Sequence, residues 1–73
     1  MTDEVIADIE AHFMQQSQDI DNWRDSPHKE AWASQNRDNI NGVARVVGKF
    51  RPDYGLRRFY TNCGFKPPFP EDV

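Results

Sequence analysis

Apolar residues in this chain recur every three or four positions, which is the spacing of one helical face rather than the alternation of a strand. Val5, Ile6, Ile9 and Phe13 form a first stripe, Trp32, Ile40, Val43, Val47 and Phe50 a second, and Leu56, Phe59, Tyr60 and Cys63 a third. A chain of 73 residues makes one domain at most. The expectation is a mainly α fold: three helices within residues 1–66, then an extended proline-rich tail over 67–73.

Punctuation along the chain supports this division. The first helix is expected from Asp3 to about Gln18, capped by Thr2, with Asp3 and Glu4 in the first turn where the helix dipole favours negative charge. Its stripe continues towards Ile20, while Asp8 and Glu10 fall on the polar side. The turn formers of DIDNWRDSP end it, and Ile20 and Trp23 are expected to fold back over the core. Ser26 then suits a cap and Pro27 a first helical position. Asn36 occupies a gap in the second stripe. The Asn-rich run SQNRDNING forms helix weakly, so this element reads as one helix or as two split near Asn39–Gly42, which would make four in all. Val43–Phe50 is also compatible with a short strand, although the spacing favours helix. The third helix is expected from Asp53, as its cap, to Cys63. Gly64 supplies the left-handed residue beyond it and Phe65 the apolar clasp.

Size bears on function. A chain this short buries only about 60% of the surface that its unfolded form exposes, and its core is expected to supply no more than about 3–5 kcal/mol of net stability. An enclosed, preorganised pocket needs more wall than this, which argues against an enzyme. His12, His28 and Cys63 lack metal-ligand spacing, and Gly42, Gly48, Gly55 and Gly64 match no phosphate-binding loop, so neither metal nor cofactor is expected. Cys63 lies on an apolar face at a helix C-terminus, which suits packing better than nucleophilic chemistry. The single cysteine, the acidic start MTDEVIADIE and the absence of a long apolar run point to a cytoplasmic protein without a membrane segment.

Charge is distributed unevenly. Residues 1–25 carry seven acidic groups against Arg24 alone, whereas residues 26–73 carry eight basic groups and five acidic ones. Two oppositely charged faces are one reading, and mutual neutralisation on folding is the other. Candidate contacts on the acidic side are Asp8, Glu10, Asp19 and Asp21; on the basic side they are Arg45, Lys49, Arg51, Arg57 and Arg58. Trp23, Trp32 and Phe69 are candidate anchors; Trp23 leads, because it lies in a polar loop without an apolar stripe to justify it, whereas the second stripe gives Trp32 a strong alternative in the core. The basic residues interleave with Phe50, Tyr54, Phe59 and Tyr60, a combination able to grip phosphates and stack bases. An overall pI near 5.2 places nucleic-acid binding second.

Two resemblances bear on the chain. GLRRFYTNCGFKP, residues 55–67, resembles the late helix-to-strand segment of GNAT acetyltransferases, in which Tyr60 would match a frequent acid. It covers about a sixth of the chain and comes without the acetyl-CoA pyrophosphate loop or the strands that precede it in that family. Helix capping alone accounts for the same residues. In length, acidity, lone cysteine and lack of motifs, the chain resembles small bacteriophage proteins that bind host RNA polymerase, inhibit initiation and permit antitermination. That resemblance implies a non-enzymatic regulator whose partner is a host protein complex, an RNA polymerase subunit being the first candidate. The alternatives are a nucleic-acid-binding module using Arg45–Lys66, and an inhibitor of a nucleic-acid enzyme whose acidic N-terminal face mimics phosphates.

Overall fold

The structure is a computed structural model that describes residues 1–24 and 26–70, with Ser26 placed as backbone only. Three helices follow in order: α1 over Asp3–Asp21, α2 over Ser26–Phe50 and α3 over Leu56–Asn62. The fold is mainly α, and no strand occurs among the described residues.

The Val5 N–H donates to Thr2 Oγ1 at 3.2 Å, so Thr2 caps α1 as its residue type predicts. The helix runs to Asp21, about a turn beyond the expected end, and Ile20 reaches the interior as a helical residue. The cap expected from Ser26 lies outside the described residues. Neither a split near Asn39–Gly42 nor a strand at Val43–Phe50 is found: α2 runs unbroken through both. Ile40, Ala44 and Val47 lie buried along one side of it, and packing that continuous stripe outweighs the weak propensity of the Asn-rich run.

The third helix begins at Leu56 rather than Asp53. Asp53 cannot cap it, because Arg51 takes its carboxylate in two bonds, from Nε at 3.1 Å and from the terminal nitrogen at 3.2 Å. Gly55 stands at the N-cap without a side-chain bond. The other end matches expectation: Phe65 N–H donates to the Tyr60 carbonyl and Gly64 N–H to that of Thr61, with Gly64 at φ 81°. This is the Schellman arrangement, and Phe65 is buried as its clasp.

Helices α1 and α2 lie antiparallel: Arg51, just past α2, reaches Asp3 at the start of α1, and Lys29, near the start of α2, donates to the Asp21 carbonyl. The short α3 closes one side of this hairpin. Leu56 sits over Gly48, where an added Cβ would come within 3.3 Å of its side chain. At the other end Gly64 fits so tightly that a Cβ would lie 3.0 Å from Ser17 Cβ and 3.1 Å from Met14 Sδ. Ile6, Phe13, Ile40, Val47, Phe59 and Cys63 make the centre of a single core. The expected extended tail is not free along its described part. Phe69 packs against that core, its ring stacked on Phe65 at 6.1 Å. The molecule measures 38 × 25 × 15 Å, a slab about as thick as two packed helices.

Candidate docking surfaces

Because α3 is only seven residues long, it covers α1 and α2 over part of their length. Towards the far end of the hairpin, where α1 ends and α2 begins, the segment after α3 takes over on one side, Phe65 and Lys66 facing Ile20, Asp21 and Ala33. Trp32 emerges there: its spacing allows the core, but it is 50% exposed, as the anchor reading requires. Trp23 is 39% exposed and does not cover the core either. The two indoles meet edge to face, with ring centroids 6.0 Å apart and planes at 77°. Together with Ile20, Gln16 and Asp19 they line an open groove of about 200 Å³.

The acidic candidates separate. Asp19 and Asp21 share the last turn of α1, which holds no basic residue, but only Asp19 lines the indole groove, while Asp21 lines a cleft with Phe65 and Lys66. Asp21 is engaged by Lys66 Nζ at 3.0 Å. The Asp19 carboxylate accepts from Gln15 Nε2 at 3.0 Å and meets no cation among the described residues. Asp8 is exposed, far from the others along α1.

Glu10 is a correction: it does not lie on a polar face but is buried, only 7% exposed. Its Oε2 accepts from the Tyr54 hydroxyl at 2.8 Å and from Asn62 Nδ2 at 3.0 Å. The spacing Ile6, Glu10, Phe13 puts it in the middle of the α1 stripe, and that spacing was the signal available for it. Glu10 therefore ties α1 to α3 and to the preceding loop. Burial, reinforced by Glu10, raises the Tyr54 phenol above its usual range. Burial and then the Glu10 charge push the Cys63 thiol up to about 12, so it stays protonated at neutral pH and serves as packing. Asn36, in the gap of the second stripe, is likewise buried. It donates to Ser17 Oγ at 3.2 Å, and Ser17 donates to the Cys63 carbonyl at 3.0 Å.

Arg51 is a second correction. Its guanidinium is spent inside the fold, on Asp53, Asp3 at 2.6 Å and the Met1 carbonyl at 3.1 Å. Asp53 and then Asp3 hold it charged well above its usual range, and Arg51 in turn lowers the Asp53 carboxyl. Arg45, Lys49, Arg57 and Arg58 are exposed and have no carboxylate partner among the described residues. Three of these four lie over rings instead: Arg57 over Phe69 at 5.2 Å, Arg58 over Tyr54 at 4.5 Å and Lys49 over Phe50 at 6.0 Å. Phe50 is 62% exposed, since the α2 stripe outruns the core at this end too. Tyr54, Phe59 and Tyr60 are buried, so they pack rather than present faces to bases. Phe69, half-buried, pins the tail to the body.

Among the described residues no three His, Cys, Asp or Glu side chains gather as metal ligands, and no helix is long and apolar enough to cross a membrane. Comparison with protein families, curated proteins and solved structures finds none that matches this chain.

Proposed function

We propose that this chain is a small non-enzymatic regulator that docks on a macromolecular complex through the indole end of the α1–α2 hairpin. The observation that supports this is the Trp23–Trp32 pair, two large aromatics left half exposed in a chain short of core. Burying either ring inward would have stabilised so small a domain. Rigid aromatic rings in an open groove with a charged rim are the usual anchors of protein interfaces. A slab 15 Å thick gives such a chain surface to offer rather than depth.

Bacterial RNA polymerase is the partner to test first, because the chain shares the size and character of phage proteins that act on it. Occupying a polymerase surface would then bias the equilibrium among its states and weaken promoter engagement. The direct test is binding of the purified chain to purified polymerase by biolayer interferometry. The variant Trp23→Ala/Trp32→Ala should lose about 2 kcal/mol or more of binding, while Arg45→Glu/Lys49→Glu binds like wild type. Equal binding by the tryptophan variant rejects the indole surface.

A second reading rests on a separate observation, the four exposed cations without carboxylate partners, Arg45, Lys49, Arg57 and Arg58. They suit phosphate contact, which gives steeply salt-dependent affinity for plain duplex DNA. A flat salt response would leave the indole surface as the working one.

A further inference from the structure

We propose that the corner between Trp23 and Trp32 receives the guanidinium of an arginine presented by a basic partner protein, with Asp19 as its counter-charge. The inference deepens the docking reading above and rests on it.

Three features converge on a cation. The first is shape: indole planes at 77° offer two walls of a corner, and Ile20 and Asp19 line the same groove. Indole faces attract cations more strongly than other rings do. The second is charge. Helix α1 contains no lysine or arginine, and its last turn, where the dipole is already negative, carries both Asp19 and Asp21. Among the described residues only one of them is neutralised: Lys66 pairs with the Asp21 carboxylate and Lys29 with its carbonyl, while Asp19, next to the indoles, meets no cation.

The third is a pattern within the chain itself. Four rings elsewhere, buried or exposed, carry internal cations: Arg37 lies 4.2 Å from the Phe65 centroid, and Arg58, Arg57 and Lys49 lie over Tyr54, Phe69 and Phe50. No cation of the described residues lies over either indole. Three of those four internal pairs use arginine, whose planar group stacks on a ring while its edge forks to a carboxylate. A guanidinium in the indole corner would do both at once, stacking on one tryptophan and donating to Asp19.

The chain has two tryptophans, and both are in the corner, so their two indole Nε1–H resonances report on this site alone. The probe is an acetylated peptide alternating arginine with glycine, compared with the same peptide made with citrulline, which keeps the shape and loses the charge. The arginine peptide should move both resonances saturably at low salt. The citrulline peptide should not, and Asp19→Asn should weaken binding about five- to thirty-fold while Asp8→Asn leaves it unchanged. Three results overturn the proposal: equal affinity for citrulline, no effect of Asp19→Asn, or unmoved indoles at about 1 mM peptide. Shifts driven by protein concentration alone, or by a single-stranded oligonucleotide, would give the corner to a second copy or to bases, and also overturn it. Asp19→Asn is isosteric and surface-exposed, and an unchanged helical circular dichroism signal verifies its fold. Indoles that ignore the peptide, together with polymerase binding lost in the tryptophan variant, would end the guanidinium assignment and leave the docking reading intact. The opposite pair of results would end the docking reading alone.

Discussion

Glu10 shows how a single polar side chain organises this fold. It sits on the core side of α1 and satisfies two donors, the Tyr54 hydroxyl and the Asn62 amide, from segments more than 40 residues away. Removing it strands a buried hydroxyl, so Glu10→Ala should lower the unfolding free energy by about 1–3 kcal/mol in urea titration, with Glu10→Gln losing less. An unchanged midpoint for Glu10→Ala would mean that this network holds nothing together. Cys63 gives a pH signature. Its native pKa, about 12, lies above the usual value of 9.0. Its contribution is therefore whole below pH 9 and is lost as pH rises towards 12, because the unfolded thiol releases its proton first. The loss runs at about 1.4 kcal/mol per pH unit. Tyr54, also raised, adds a loss of the same sign above its usual 10.0. Thermal melts across this alkaline range should fall more steeply for wild type than for Cys63→Ala, and parallel curves would count against the buried thiol.

At the scale of elements, the caps carry the testable energies. Thr2→Ala removes an N-cap acceptor and should cost about 1 kcal/mol. Gly64→Ala must hold a left-handed backbone, costing about 1–2 kcal/mol. It must also push a methyl group against Ser17 and Met14, so chemical denaturation should place it below Thr2→Ala in stability. The reverse order would contradict the tight approach of α3 to α1. The helices themselves are legible in the sequence because periodicity, the Thr2 cap and the Gly64–Phe65 stop all agree. The start of α3 is not, since Asp53 looks like a cap by type and only the folded chain brings Arg51 to its carboxylate. Glu10 is legible by position and hidden by chemistry: its spacing is that of a core residue, whereas its charge argues for the surface.

The whole molecule explains the rest of the candidate site. Trp23, Asp19 and Asp21 stand out in the sequence as an aromatic among turn formers and acids near a helix end; the structure brings Trp23 and Asp19 to one groove and gives Asp21 to Lys66. Trp32 reads in the sequence as an anchor or as a core residue, and its half exposure decides for the surface, which no local pattern of α2 records. Arg51 is misread for a similar reason: its partners Asp3 and Met1 come from the opposite end of the chain. Net charge at the surface is thus partly consumed inside the fold, leaving an acidic indole end and a basic set at Arg45, Lys49, Arg57 and Arg58. Docking through the indole end is tested most directly by fluorine NMR of the chain labelled with 5-fluorotryptophan, which yields one resonance each for Trp23 and Trp32. Adding unlabelled RNA polymerase should broaden and shift both resonances as the complex forms. Resonances that broaden with the size of the complex but keep their free chemical shifts, in a sample where sedimentation shows the chain fully bound, would place the contact elsewhere and contradict the indole docking surface.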